Sequence, residues 1–231
     1  MLIIRIVKFR GIIVEILTNG PEFGPVYVFA HGAGADMKSE FITQVAEKLA
    51  EKGIRVVRFN FPYMIKRAED GKRRPPDRAP KLMAAYEDVI KKLNCPVVLG
   101  GKSMGGRMSS MLMAENSQRD KKDQLPILGS ACLGYPFHAP KKDPKDRLDH
   151  LKQLTEPLLI VQGTRDALGN QEEVNGYTKA EEINSSIKVS WLEDGDHDLK
   201  PRKISGFSHQ QHIDSAVEQV AEFVLKLSPQ S

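Results

Sequence analysis

A serine in a glycine-rich turn is the residue of this chain best suited to covalent chemistry. The segment Gly101-Lys102-Ser103-Met104-Gly105 fits the pattern G-x-S-x-G, and it lies between an apolar run at 96–100 and a helix-compatible stretch at 104–114. In a strand–turn–helix context such a turn strains the serine backbone, and the flanking glycines remove side chains that would clash. The pattern therefore predicts that Ser103 is a nucleophile above a helix N-terminus, where negative charge is favoured.

A nucleophilic serine needs a base, and the base needs a carboxylate that orients it. In the architecture that this turn predicts, the chain order is serine, acid, histidine. An apolar run at 157–163 leads into a turn that contains Asp166, and an alternating run at 187–192 leads into a loop that contains His197. We therefore predict Asp166 as the orienting carboxylate and His197 as the general base and acid. These partners favour a catalytic Ser103 over the alternative, a glycine-rich turn with a chance serine.

Three other carboxylates lie close to the predicted base in the sequence and compete for the orienting role. They are Asp194, Asp196 and Asp198. All three are so near His197 along the chain that reaching back to its ring is difficult. Their spacing is also similar to that of a calcium loop, which requires Gly at its sixth position and Glu at its twelfth. Leu199 and Ser205 occupy those positions, so we expect no metal and no cofactor.

A second glycine-containing loop follows an upstream apolar run. Residues 26–30 have a buried-strand pattern, and His31-Gly32-Ala33-Gly34 comes directly after them. In serine hydrolases of this plan one oxyanion donor comes from such a loop, and the other is the N–H of the residue after the nucleophile. We therefore predict Met104 and Ala33 as the oxyanion donors, with Gly34 as a reserve donor and a substrate contact. The alternative is a glycine turn that ends a strand.

These motifs together resemble the alpha/beta-hydrolase superfamily. A closer resemblance is to a small family of alpha/beta-hydrolase-like proteins that includes a testis-expressed protein and a subunit of the non-specific-lethal chromatin complex. The segments that carry it are His31-Gly32-Ala33-Gly34-Ala35, Arg58-Phe59-Asn60-Phe61-Pro62-Tyr63, Arg73-Arg74-Pro75-Pro76, Gly100-Gly101-Lys102-Ser103-Met104-Gly105-Gly106-Arg107 and Gly195-Asp196-His197-Asp198-Leu199. The resemblance implies a hydrolase fold with a Ser-Asp-His site and implies no particular substrate. Dienelactone hydrolases are similar in size, but they use cysteine where this chain has Ser103.

The composition is typical of one soluble domain. A chain of 231 residues can bury a full core, and we expect a single alpha/beta-hydrolase domain over residues 1–231. No run approaches the roughly 18 apolar residues of a membrane span. The N-terminus lacks the apolar stretch and cleavage site of a signal peptide. Cys95 and Cys132 adjoin apolar strand patterns, so we expect buried thiols and a cytoplasmic location.

Strand patterns alternate with helical patterns along the rest of the chain. Residues 54–60 and 127–133 add two strands, and helical spacing appears near 41–49, 82–93 and 213–224. This alternation predicts a mostly parallel twisted sheet with helices on both faces. The first two strands precede any helix, which predicts an antiparallel hairpin. Only residues 135–156 lie where a cap domain is usually inserted, so we expect a minimal lid and an open site.

Two further features are candidates for substrate binding. His138 follows a strand and is expected to line the pocket, with loop packing as the alternative. A long loop expected over Met64–Lys81 carries seven basic and three acidic residues, an excess equal to the net charge of +4 of the whole chain. It leaves the ligand-binding edge of the sheet, so Arg73 and Arg74 are predicted to attract an anionic substrate. The alternative is ordinary solvated surface.

The pattern as a whole predicts a serine hydrolase of small carboxylic esters or thioesters. A non-catalytic interaction protein with the same fold and a serine peptidase on short peptides are the alternatives. A net charge of +4 without a stacking-aromatic motif does not favour nucleic-acid binding. We expect no membrane association and a monomer or small homo-oligomer.

Overall fold

The computed structural model describes residues 2–9, 12–139 and 145–228, which form an eight-stranded sheet in the order β1-β2-β4-β3-β5-β6-β7-β8. The strands are β1 (Leu2–Phe9), β2 (Ile12–Asn19), β3 (Val26–Ala30), β4 (Arg55–Phe59), β5 (Val97–Lys102), β6 (Ile127–Leu133), β7 (Leu158–Gly163) and β8 (Lys188–Leu192). β1 pairs with β2, and β2 with β4, in antiparallel fashion, whereas β3 to β8 are parallel. The predicted hairpin and mostly parallel sheet are therefore confirmed.

Helices cover both faces of this sheet, as predicted. They are α1 (Glu40–Glu51), α2 (Pro62–Asp70), α3 (Ala79–Leu93), α4 (Met104–Ser117), α5 (Lys145–Gln153), α6 (Gln171–Lys179) and α7 (His209–Leu227). Successive side chains of a strand point to opposite faces. Tyr27 and Phe29 of β3 accordingly pack in a core with α1 and α7, while Val28 and Ala30 pack in a second core with α3 and α4. This two-sided burial explains why β3 and β5 are continuous apolar runs.

The segment Met64–Lys81, which the sequence predicts as one loop, is mostly helical. Helix α2 begins at Pro62 and ends at Asp70, and its C-cap, Gly71, adopts a left-handed φ of 69°. The loop prediction was wrong because α2 buries only a short stripe and is otherwise charged, so it lacks a long apolar period. The connecting loop is reduced to residues 71–78. Among the described residues, no helix has the length and apolar character needed to cross a membrane.

The parallel strands bring distant parts of the chain to one edge of the sheet. The loops that carry Ala33, Ser103, Asp166 and His197 follow the carboxyl ends of β3, β5, β7 and β8, respectively. In open parallel sheets this is the edge at which ligands bind. Between β6 and β7 the described chain adds α5 as its helix, which agrees with the minimal lid expected from the sequence.

Candidate active site

Ser103 occupies a strained turn between β5 and α4. Its backbone has φ 53° and ψ −115°, a positive-φ conformation that is costly for a residue with a side chain. Neighbouring glycines make the turn possible. A Cβ atom on Gly101 would lie 2.7 Å from the Ala30 carbonyl oxygen, and one on Gly105 would lie 2.5 Å from it. The G-x-S-x-G pattern thus reflects close backbone packing at both glycines, and it places Ser103 at the start of the helix.

Ser103, His197 and Asp166 form one chain of hydrogen bonds. The Oγ atom of Ser103 lies 2.8 Å from His197 Nε2, and His197 Nδ1 lies 2.8 Å from Asp166 Oδ2. Because an ionised carboxylate can only accept, Nδ1 carries the imidazole proton and Nε2 accepts from the serine hydroxyl. Asp166 is fully buried, whereas the side chain of His197 is 27% exposed. This arrangement can deprotonate Ser103 and still admit a substrate.

The carboxylate of Asp166 is held by two further donors. Gln162 Nε2 donates to Oδ2 at 2.8 Å, and the Leu168 N–H donates to Oδ1 at 2.8 Å. Gln162 is itself fully buried, and its Oε1 accepts from the Tyr135 N–H. Our sequence reasoning did not find this residue. The sequence feature that could have identified Gln162 is an amide side chain in an otherwise apolar strand. A buried polar side chain requires hydrogen-bond partners.

Lys102 links the serine turn to the histidine loop. Its Nζ donates to the His197 carbonyl oxygen at 2.6 Å and lies 3.3 Å from Asp198 Oδ1. The side chain is buried, and this burial lowers the pKa of Lys102, while the Asp198 carboxylate acts in the opposite direction. The lysine therefore fixes the backbone that carries the candidate base, a role that our sequence reasoning also missed.

We expect Lys102→Met to reduce kcat for ester hydrolysis by about 10- to 100-fold, because small misplacements of a catalytic group have effects of this size. The melting temperature should change little by comparison, and the rate of serine labelling by a fluorophosphonate should fall in parallel with kcat. Asp198→Asn is the matched control, since Lys102 would keep its bond to the His197 carbonyl. Equal effects of the two substitutions would contradict a positioning role for Lys102.

The three competing carboxylates have other partners. Asp194 pairs with Arg165 and Arg202, and its hydrogen bonds to Arg202 lower its pKa to about 2. Asp196 Oδ1 accepts the N–H groups of Asp198 and Lys200, both at 2.9 Å. Among the described residues, the carboxylate that contacts the His197 ring is that of Asp166. The competing carboxylates thus shape the loop around His197.

The loop after β3 is held from behind by buried side chains. His31 Nε2 accepts the Phe61 N–H at 3.1 Å, and its Nδ1 donates to the Gly32 carbonyl at 2.7 Å. Burial lowers the pKa of His31 to about 4, so this neutral tautomer persists at pH 7. The Tyr63 hydroxyl donates to the Ala33 carbonyl at 3.0 Å. These hydrogen bonds occupy the carbonyl groups of Gly32 and Ala33.

The two predicted oxyanion donors flank Ser103. Met104 is the first residue of α4, a position whose N–H has no partner within the helix. The backbone N–H groups of Ala33 and Met104 donate to no acceptor among the described residues. Both residues line a cavity together with Ser103. These backbone groups are therefore available to an oxygen atom bound beside the serine.

Two cavities, each of about 340 Å³, meet at Ser103 and Ala33. One is bordered by Arg107 and Arg147, and we call it the arginine cavity. The other is bordered by Lys102 and His197, and we call it the lysine cavity. Together they provide room for a substrate group on each side of the serine.

Of the four predicted substrate contacts, one lines a cavity at Ser103 and three do not. Gly34 lines the lysine cavity. His138 lies outside the residues that line either cavity, and its Nε2 is 3.4 Å from a Glu173 carboxylate oxygen. Arg74 forms a two-pronged pair with Asp70, and Arg73 is exposed. Neither arginine lines either cavity.

The basic residues that line the arginine cavity are Arg107 and Arg147, and not Arg73 and Arg74, which the sequence predicts. One signal could have identified Arg107. It lies four residues after Ser103 on the predicted helix, a spacing that puts two side chains on the same face.

Comparison with known proteins agrees with the fold. Residues 24–225 match the family model described as an alpha/beta hydrolase domain. The chain therefore belongs to the alpha/beta hydrolase domain family.

Solved structures with a similar fold share few identical residues with this chain. A dienelactone hydrolase from Anabaena variabilis is 14% identical, with a TM-score of 0.73 over 99% of both chains. A serine hydrolase without a lid from Xanthomonas campestris is 18% identical, with a TM-score of 0.67 over 100% of this chain and 97% of the other. The thioesterase domain of the curacin biosynthetic pathway is 15% identical, with a TM-score of 0.67 over 97% and 99%. At these identities the likeness concerns the fold.

Proposed function

We propose that this protein is a serine hydrolase that cleaves carboxylic esters or thioesters through an acyl-enzyme. The observation that carries the proposal is the hydrogen-bonded chain from Ser103 through His197 to buried Asp166. Ser103 lies in a strained turn at the ligand-binding edge of the sheet. A nucleophile, a base and an orienting acid in this order constitute the chemistry of acyl transfer.

In the proposed first step, His197 Nε2 takes the hydroxyl proton while Ser103 Oγ forms a bond to the substrate carbonyl carbon. The N–H groups of Ala33 and Met104 bind the resulting oxyanion. The intermediate then collapses, the bond to the leaving group breaks, and His197 gives its proton to the departing oxygen or sulfur. Asp166 stabilises the imidazolium that exists between these two transfers.

In the second step, water replaces the leaving group. His197 takes a proton from the water molecule as its oxygen attacks the acyl carbon, and the same proton is returned to Ser103 Oγ when the acyl-enzyme bond breaks. The products are a carboxylic acid, the free serine and the alcohol or thiol released earlier. All proton transfers use the chain's own residues.

Two observations bear on the substrate. Between β6 and β7 the described chain contains α5 as its helix, and we infer an open site that admits an extended or polar substrate. Proteins of similar fold are described as a dienelactone hydrolase and as a thioesterase domain. The resemblance to the small family with a testis-expressed protein stays a prediction from the sequence. Because of this resemblance, the alternative function is that of a non-catalytic interaction protein with the same fold.

The test is a panel of three acyl donors that share one acyl group. We expect the purified protein to hydrolyse the p-nitrophenyl ester and a thiol ester and to leave the p-nitroanilide intact. Prior treatment with phenylmethylsulfonyl fluoride should remove both activities, which separates a serine mechanism from background hydrolysis. Cleavage of the anilide at a comparable rate would favour the peptidase alternative. Absence of turnover on all three would favour the interaction protein.

A further inference from the structure

We propose that the arginine cavity selects acyl groups that end in a carboxylate, so that the substrate is a half-ester or half-thioester of a dicarboxylic acid. This inference rests on the proposed function and specifies its substrate class. It replaces the anion contact that the sequence placed at Arg73 and Arg74, because these two residues do not line the cavities at Ser103.

The first observation concerns Arg107. It lies on α4 four residues after Ser103, and its backbone N–H donates to the Ser103 carbonyl at 3.0 Å. Its guanidinium forms no ion pair with the described residues, and its Nε atom is buried without a hydrogen-bond partner. A buried donor without an acceptor is costly. A carboxylate in the cavity would supply the charged partner that this guanidinium lacks.

The second observation concerns Arg147 on the short helix α5. Its Nη1 contacts two backbone carbonyls, at 3.3 Å from Pro136 and 3.2 Å from His138. Neither partner is charged. Burial lowers the pKa of Arg147, and the positive charge of Arg107 lowers it further. The two guanidinium groups therefore act on each other, and an anion between them would be favoured because guanidinium groups match carboxylate geometry.

Among the described residues, the other titratable groups around this cavity leave an excess of positive charge. Asp77 also lines the cavity; its Oδ1 pairs with Lys81 at 2.7 Å, and its Oδ2 is buried without a hydrogen-bond partner. His150 lies near Arg107, and burial lowers the pKa of His150 to about 4, so it is neutral at pH 7. Asp77 and Lys81 offset each other, and the charges of Arg107 and Arg147 remain.

The position of His197 decides which part of the substrate carries the anion. His197 must reach the leaving-group atom to protonate it. It lines the lysine cavity and is absent from the lining of the arginine cavity. The leaving group is therefore assigned to the lysine cavity and the acyl group to the arginine cavity. The carboxylate accordingly belongs to the acyl group.

The experiment compares the mono-p-nitrophenyl ester of adipic acid with p-nitrophenyl hexanoate, after subtraction of spontaneous hydrolysis. We expect the wild type to prefer the adipate half-ester in kcat/KM. Arg107→Gln and Arg147→Gln should each reduce kcat/KM for the half-ester about 10- to 100-fold, the usual effect of losing a hydrogen bond between charged groups. Hexanoate hydrolysis should change much less. Arg78→Gln, an exposed arginine outside the cavity lining, is the matched charge control and should resemble the wild type.

A binding measurement separates this inference from the proposed function. Adipate, titrated calorimetrically into the Ser103→Ala protein, should bind more tightly than hexanoate, and Arg107→Gln should remove the difference even if no ester is turned over. Equal losses on both esters, no loss on either, or equal binding of adipate and hexanoate would overturn the inference. A preference for anionic leaving groups alone would also overturn it. Failure of the proposed function would instead appear as absence of all ester turnover while adipate still binds.

Discussion

Ser103→Ala is expected to lower kcat for ester hydrolysis by about 10⁵-fold or more, since removal of the nucleophile disables a catalytic unit of this kind. In the described structure Ser103 Oγ is hydrogen-bonded to His197 Nε2. The measurement is the steady-state rate on a p-nitrophenyl ester with freshly purified protein. The fold should be retained, because alanine lacks only the hydroxyl group.

The matched control for this prediction is Ser117→Ala at the opposite end of α4. The Ser117 hydroxyl donates to the Ala114 carbonyl and lies outside the cavity linings. We expect its kcat to stay within a few-fold of the wild type. Retention of a few per cent of the wild-type rate by Ser103→Ala would contradict a covalent role for this serine.

Asp166→Asn is expected to lower kcat by about 10³- to 10⁴-fold, because an amide favours the wrong imidazole tautomer and lacks the charge that stabilises the imidazolium. The carboxylate of Asp166 accepts from His197, Gln162 and the Leu168 N–H. An asparagine has one acceptor oxygen and cannot satisfy both sides of the site. KM should change less than kcat, since the carboxylate acts on the base.

Asp196→Asn serves as the comparison for the orienting acid. Both N–H groups bound by Asp196 contact Oδ1, and an asparagine can keep these bonds. We expect less than about a 10-fold loss, in line with a loop-shaping hydrogen bond. If Asp196→Asn were the more damaging substitution, the assignment of Asp166 would be wrong.

The parts of the fold and site that the sequence predicts are those with a local pattern. Residues 127–133 form β6 as expected, and residues 26–30 form β3. Both runs are apolar because helices cover both faces of the sheet. Ser103, Asp166 and His197 could be selected because each follows such a run, and parallel strands end at one edge. Chain order then gave each residue a predicted role.

The parts that the sequence did not predict depend on contacts between distant residues. Lys102 reaches the His197 carbonyl across 95 positions of the chain, and Gln162 binds Tyr135 across 27. Periodicity identifies elements but does not identify the partner of a side chain. The same applies to the segment Met64–Lys81, because a count of its charges does not reveal that Arg74 pairs with Asp70. Arg107 was missed because its position in the predicted helix does not reveal that its guanidinium forms no ion pair with the described residues.

The most direct test of the central claim is the site of covalent modification by a fluorophosphonate probe. Intact-mass and peptide mass spectrometry should find one adduct, on the peptide that contains Ser103. The adduct should be absent from Ser103→Ala and should form more slowly in Asp166→Asn. A protein that stays unmodified under conditions that label a known serine hydrolase, or that carries the adduct on another residue, would contradict the claim that Ser103 is an activated nucleophile.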